Sequence, residues 1–195
     1  MWNERYSAAE YIYGTEPNTF LAQHASRLSG PVLSLGEGEG RNAVLLASRG
    51  LEVLGVDASS VGLAKARKLA EARGVRIRTE VVDLRDYEPP PDSFGAVISI
   101  FAHLPGDLRT RVHALIARTL RPGGILLLEA YSKAQIARDT GGPKDVDMLL
   151  SAAILEADFP QFEIIHLQEI ERDVTEGNFH TGLASVVQFI ARKPG

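Results

Sequence analysis

The chain has no cysteine, which removes disulfides, thiolate metal ligands and a cysteine nucleophile together and is compatible with a reducing compartment. Basic runs are absent too. The 21 Lys and Arg are interspersed among 25 Asp and Glu for a net charge of -4, so the electrostatic footprint of a phosphate-backbone binder is missing. No nucleic acid partner is expected. Apolar runs such as Ile125 to Leu128 are far too short to span a bilayer. Residues Met1 to Glu10 carry acids and polar groups where a signal peptide needs an apolar stretch. No two histidines stand at metal-ligand spacing, so no metal site is expected. These absences point to a cytoplasmic protein with no membrane partner.

What is present suits an ordinary folded domain: 45% hydrophobic and 24% charged residues over 195 positions, with no internal repeat and no shift in composition that marks a second core. The expectation is one domain over residues 1–195. Apolar runs at Val32 to Leu35, Glu52 to Val56, Arg76 to Val82, Ala96 to Phe101 and Ile125 to Ala130 read as strands with neither face in water, as in a parallel sheet covered by helices. Between them, Arg41 to Arg49, Ser59 to Arg73 and Asp107 to Leu120 carry helical periodicity, with Gly50, Gly74 and Gly123 at the expected helix ends. Strand and helix alternate, which is the α/β signature. Asp145 to Ala157 reads as a helix. Phe162 to Val174 and Ala184 to Ala191 read as an antiparallel hairpin turning at Glu176, Gly177 and Asn178. Ahead of the first strand, Ala8 to Leu28 predicts one or two helices interrupted by Gly14, Pro17 and Asn18.

The segment from Val32 to Asn42 is a buried strand, a glycine-rich turn and a helix start, where a doubly wound fold receives a nucleotide-like ligand. A dinucleotide fingerprint has the spacing G-x-G-x-x-G. Here the glycines fall at 36, 38 and 40, with Arg41 at the third-glycine position, a poor match to a dehydrogenase. Glu37 and Glu39 also place carboxylates where a pyrophosphate would approach. A ligand carrying positive charge suits the loop better. The alternative is a tight strand-to-helix turn with solvated glutamates. Asp57 ends the second strand 21 positions after Gly36, near the interval at which an acid meets a ribose diol. It is the ribose candidate, with the N-cap of the following helix as its competing role. Asp83, after the third strand, is placed to accept from an adenine amino group while Leu84 packs on the ring, or else simply forms a turn.

The order of glycine loop, Asp57, Asp83, Phe94 to Ser99 and Leu120 to Ile125 resembles the class I S-adenosylmethionine-dependent methyltransferases. Within them the chain resembles the small tellurite-resistance and thiopurine methyltransferase branch, whose N-terminal segment is similar to Trp2 to Tyr6 and Tyr13 to Asn18. Two positions depart from the pattern: Ser34 and Glu37 stand where many members have an acid in the strand and a small residue in the loop. The resemblance implies a Rossmann-like, doubly wound, mostly parallel seven-stranded sheet with an antiparallel C-terminal strand and helices on both faces. It implies S-adenosyl-L-methionine as cofactor, held by Gly36, Glu37, Gly38, Gly40, Arg41, Asn42, Asp57, Ala58, Asp83, Leu84, Ile100 and Phe101.

A methyl acceptor should enter beyond the carboxyl ends of the strands, so Ser99 to Pro105 are expected pocket walls. His103 is the catalytic candidate there, with a purely structural histidine as the competing reading. Trp2, Tyr6, Tyr11 and Tyr13 crowd the N-terminus. Residues 1–30 are therefore read as a helical lid segment with Trp2, Tyr6 and Tyr13 against substrate, or alternatively as a segment that merely docks on the domain. Gly141 to Lys144 could border the acceptor. Glu171, Arg172 and His180 at the hairpin end read first as a solvated charged face. The Asn-Pro-Pro-Tyr motif that resembles base-amino methyltransferases is absent after the fourth strand, which favours a small-molecule acceptor such as a thiol or chalcogen oxyanion. The competing function is a sensor or scaffold that binds the cofactor and transfers nothing.

Overall fold

The computed structural model describes residues 2–177 and 180–195. Its strands β1 (Val32–Leu35), β2 (Val53–Asp57), β3 (Arg78–Val81), β4 (Phe94–Ile100), β5 (Leu120–Tyr131), β6 (Glu163–Glu176) and β7 (His180–Arg192) form one seven-stranded sheet. The order is β3-β2-β1-β4-β5-β7-β6. Strands β1 to β5 are parallel, and β7 lies antiparallel between β5 and β6. The strand order reverses between β1 and β4, so a crevice opens at the carboxyl ends of these two central strands.

Helices α1 (Trp2–Arg5), α2 (Thr19–His24), α3 (Arg41–Ser48), α4 (Ser60–Ala72), α5 (Gly106–Thr119) and α6 (Ala152–Asp158) surround the sheet. Side chains alternate across each strand. Val32, Ala96 and Ile98 therefore pack with Phe20, Leu21, Ala43 and Leu46 of α2 and α3 on one face. Leu33, Leu35 and Val97 pack with Val112, Leu115 and Ile116 of α5 and Phe159 beside α6 on the other. Each valine, leucine, isoleucine or phenylalanine among them contributes roughly 1.5–3 kcal/mol by leaving water. The runs in β1 and β4 are apolar on both faces because both faces are covered.

Four local expectations change. Strand β3 is an edge strand with mostly exposed residues, Val81 among them; Arg78 and Glu80 alternate with Thr79 and Val81, a pattern that tolerates water. Gly123 ends no helix. Pro122 biases Arg121 toward extended backbone, α5 stops at Thr119, and Gly123 (φ +77°) makes a turn inside β5. Gly50 and Gly74 do follow α3 and α4 with left-handed φ of +84° and +68°. Asp145 to Ala157 is divided into a short 3-10 turn, Val146–Met148, and α6, because Ser151 caps a new helix by accepting from the Ile154 amide. Ahead of β1, only Thr19–His24 and the 3-10 turn Ala25–Arg27 are helical within Ala8 to Leu28, while α1 lies earlier in the chain. The long hairpin is present as β6 and β7, with Asn178 of its turn outside the described residues.

Candidate active site

Strand β1 runs into a loop in which Gly36, Gly38 and Gly40 adopt φ of +63°, +62° and +98°, conformations that side chains rarely take. At Gly38 a Cβ would lie 2.8 Å from the Tyr6 hydroxyl. At Gly40 it would lie 2.5 Å from the Ala66 Cα, so this third glycine lets α3 start against α4. Gly40 is not among the residues that line the crevice. Its contribution is packing beneath the loop.

The acidic residues of the loop face different ways. Glu37 is buried and turns inward, where it accepts from the Ser34 hydroxyl and, at 3.0 Å, from the Ala43 amide. Burial outweighs these bonds and pushes its carboxyl up to about 7. The carboxyl that the resemblance would put on the strand thus arrives from the loop, with Ser34 as its partner. Glu39 pairs with Lys65 of α4 at 2.7 Å and accepts from the Tyr13 amide at 3.3 Å. Asp57 accepts from the Gly38 amide at 2.9 Å and the Ser59 amide at 2.8 Å, and burial raises its carboxyl above the usual range. The N-cap of α4 is Ser59, which accepts from the Gly62 amide. Asp57 therefore has no capping duty and braces the glycine loop at the crevice.

The N-terminal segment lies over this loop. Asn3 Oδ1 accepts from the Ser59 hydroxyl at 2.7 Å. Tyr6 is 5% exposed and stacks on Trp2 at 5.9 Å, with Tyr13 edge-on at 6.2 Å. Burial, with Asp57 adding, holds the Tyr6 phenol far above its usual range. Tyr11 stands apart, donating to the Lys65 carbonyl.

At the end of β4, Phe101 has φ of +52°, a costly conformation for an aromatic residue and one that clusters at functional sites. Its amide donates to the Glu129 carbonyl at 2.8 Å, and its ring meets Tyr131 at 4.8 Å. His103 stacks on Tyr131 at 5.3 Å, and its Nε2 accepts from the Tyr131 amide at 3.1 Å. That bond needs an unprotonated Nε2.

These elements enclose a cavity of about 1310 Å³. Gly36, Glu37, Gly38, Arg41, Asn42, Asp57, Ala58, Asp83, Leu84, Ile100, Phe101, His103, Trp2, Tyr6 and Tyr13 all line it. Asp83 is exposed there and pairs with Arg85 at 2.9 Å. Of the loop Gly141 to Lys144 the first three residues line it, while Lys144 pairs with Asp139 instead; Asn3 and Arg5 of the N-terminal segment line it too, and Leu108, Arg111 and Met148 join without having been anticipated. Among the described residues no group of three or more His, Cys, Asp or Glu could hold a metal ion. The largest departure is at the hairpin end. Arg172 and Glu176 form no solvated face but enter a buried ionic network with Glu129, Arg41 and Asn18. Glu171 stays outside, paired with Arg138. The His180 side chain lies outside the described residues.

Residues 32–124, from β1 into β5, match a family model described as "Methyltransferase domain". The match takes in 93 of the 195 residues, so this stretch is similar to a methyltransferase domain, and it is carried on a Rossmann-like sheet. The chain is 28% identical over 134 residues to the 2-heptyl-1-hydroxyquinolin-4(1H)-one methyltransferase of Mycobacteroides abscessus, an alignment covering 67% of this chain and 59% of that protein. It is 34% identical over 109 residues to the tRNA 5-carboxymethoxyuridine methyltransferase of Escherichia coli strain K12, covering 52% of this chain and 40% of that one. The chain thus spans about half the length of these two relatives. Among solved structures, one described as "Conversion of a Disulfide Bond into a Thioacetal Group during Echinomycin Biosynthesis" superposes with a TM-score of 0.77 at 22% identity, covering 99% of this chain and 91% of that one. TehB from Haemophilus influenzae superposes at 0.72 and 18% identity, covering 98% and 65%. At these identities the structures speak for the fold.

Proposed function

We propose that the cleft binds S-adenosylmethionine and directs its methyl group to a small-molecule acceptor. The observation that carries this reading is the meeting, at the strand-order reversal, of the glycine loop, the Asp57 carboxylate that braces it and the N-terminal aromatics above it. The residues suit the cofactor. Asp57 is the acceptor for a ribose diol, and Asp83 and Leu84 suit an adenine. A volume of about 1310 Å³ exceeds the roughly 300–1,000 Å³ of typical ligand pockets, leaving room for an acceptor beside the cofactor. Glu37, turned inward, and Gly40, under the loop, support the loop from beneath.

When bound, the cofactor supplies an electrophilic methyl group on a sulfonium. The chain's own part is alignment and exclusion of water. Tyr6, Trp2 and Tyr13 roof the cleft, and an aromatic face near a cation is worth about 0.5–2 kcal/mol. His103, with Nε2 given to the Tyr131 amide, serves as a fixed wall and not as a base. The acceptor therefore arrives ionised or loses its proton to solvent. A thiol or a chalcogen oxyanion meets that condition, and the TehB-like fold supports the tellurite-resistance-like branch. The net charge of -4 and the lack of a basic surface run favour a small molecule over tRNA.

Calorimetry with S-adenosylmethionine, its demethylated product and NAD tests the cofactor. Both S-adenosyl ligands are expected to bind and NAD is not; NAD binding alone would overturn the assignment. A tritiated-methyl transfer screen over small thiols, chalcogen oxyanions and tRNA then tests the acceptor. Cofactor binding without transfer to any of them would favour the sensor reading.

A further inference from the structure

Beside the cleft, five segments distant in sequence meet in a largely buried network, with Arg172 at its partly exposed edge. Glu129 of β5 is fully buried; it accepts from Arg172 of β6, from Asn18 at 2.8 Å and from Gln188 of β7 at 2.6 Å. Glu176, the last residue of β6, accepts from Arg41 at 2.5 Å, from Asn18 at 2.8 Å and from Arg172 at 3.3 Å. The Asn18 side-chain amide thus bridges both carboxylates, while its main-chain amide donates to Asn42 Oδ1 at 3.0 Å. Burial alone would lift the Glu176 carboxyl, but Arg41, Asn18 and Arg172 bring it below its usual value.

Two acids and two bases out of water are a poor source of stability, since an apolar set of the same volume does as well; their better attested use is to fix register. The register fixed here is that of the N-terminal segment. Arg41 lines the cleft and pairs with the hairpin end. The next residue along the hairpin, Gly177 (φ +67°), abuts the same segment: a Cβ there would lie 2.1 Å from the Ile12 carbonyl oxygen and 2.5 Å from the Tyr13 Cα. Tyr13 lines the cleft and meets Tyr6.

We propose that Glu176 is a positioning residue for methyl transfer, setting through Arg41 and Asn18, with Gly177 beside it, the height of the N-terminal aromatics above the cleft. The proposal rests on the methyl-transfer reading of that cleft. The hairpin end acts as the latch of the roof, and the ion pairs supply the single geometry in which the roof closes.

Two variants of the full chain test this. Glu176→Gln keeps the shape and removes the charge; Gly177→Ala disturbs the same contact without touching the network. Both are expected to lower kcat by about ten- to a hundredfold, as small misplacements do, with KM for S-adenosylmethionine changed less than about threefold. Amide exchange of residues 6–14 is expected to quicken by about tenfold while β1 and β4 are unchanged. Unaltered exchange at residues 6–14 in either variant overturns the latch. So does a uniform rise over the whole sheet with kcat per folded molecule preserved, which marks a merely structural network. A wild-type chain that fails to bind S-adenosylhomocysteine sinks the methyl-transfer reading separately, because the exchange comparison needs no transfer.

Discussion

Replacing Glu37 by glutamine should make the protein more stable at alkaline pH and leave it nearly unchanged in acid. The carboxyl is buried beneath the glycine loop, and its affinity for a proton rises from an ordinary value of 4.5 to about 7. Between those values the folded chain keeps a proton that the unfolded chain has released. Its contribution is therefore fully present below about pH 4.5 and is lost as pH rises through about 7. At roughly 1.4 kcal/mol for each tenfold change in proton affinity, the loss amounts to about 3 kcal/mol by pH 8, most of it between pH 5 and 7. Glutamine occupies the same volume. Its oxygen accepts from the Ala43 amide as Glu37 does at 3.0 Å, and its NH₂ donates to the Ser34 hydroxyl, which reverses its role. Urea denaturation of both proteins from pH 5 to 8 gives a difference curve in which the titrations they share cancel. The variant should gain on the wild type by about 3 kcal/mol at pH 8 and by under about 1 at pH 5. A flat difference, or a glutamine variant weaker at pH 8, would refute the placement of Glu37 as a buried acid.

Asp57→Ala should weaken S-adenosylhomocysteine binding by about 1–3 kcal/mol through loss of a hydrogen-bonding carboxylate, read by calorimetry; unchanged affinity in a folded variant removes Asp57 from the ribose role. Gly40→Ala should cost at least about 1–3 kcal/mol in chemical denaturation, since the new Cβ meets Ala66 at 2.5 Å with φ at +98°. Asp158 is held below its usual range, first by its hydrogen bond to His113 and then by Arg109. Its contribution is present above pH 4 or so and lost as pH falls, so Asp158→Asn should cost about 1 kcal/mol at pH 7 after solvent screening. A thermal melt showing the same loss at pH 7 and pH 3 would contradict it.

The glycine loop, Asp57, the strand positions and the hairpin were legible because each is a local pattern: a glycine-rich turn, an acid at a strand end, an apolar run of fixed period. Ser59, two residues beyond Asp57, caps α4, a choice that capping preferences do not resolve because Asp and Ser cap equally well. The ionic network was illegible for a different reason. Asn18 meets Glu129 across 111 positions and Glu176 across 158, and nothing near Arg172 or Glu176 in sequence distinguishes them from charges on a wet hairpin. Glu37 lines the cleft as read, but its bonds to Ser34 and Ala43 were not legible, because Ser34 stood out in sequence only as a departure from the family pattern. His103 was correctly placed on the cleft wall, but its bond to the Tyr131 amide depends on how β5 pairs with β4.

The separation of Asn18 from Glu129 and Glu176 also bears on how the molecule is made. Loop closure is unfavourable until the distant contact rewards it. On the latch proposal the roof of the cleft needs residues near 18, 129 and 176 together, whereas β1 and β2, joined through α3, pair across 21 positions, Val32 with Val53. The sheet's centre is therefore free to condense early, while the covered pocket waits for β6 to arrive. A folding chain is then expected to form the loop and Asp57 before the roof, so tight binding of S-adenosylhomocysteine should appear in refolding as a late phase, after β1 and β2 are protected; binding that appears together with that protection would contradict the order.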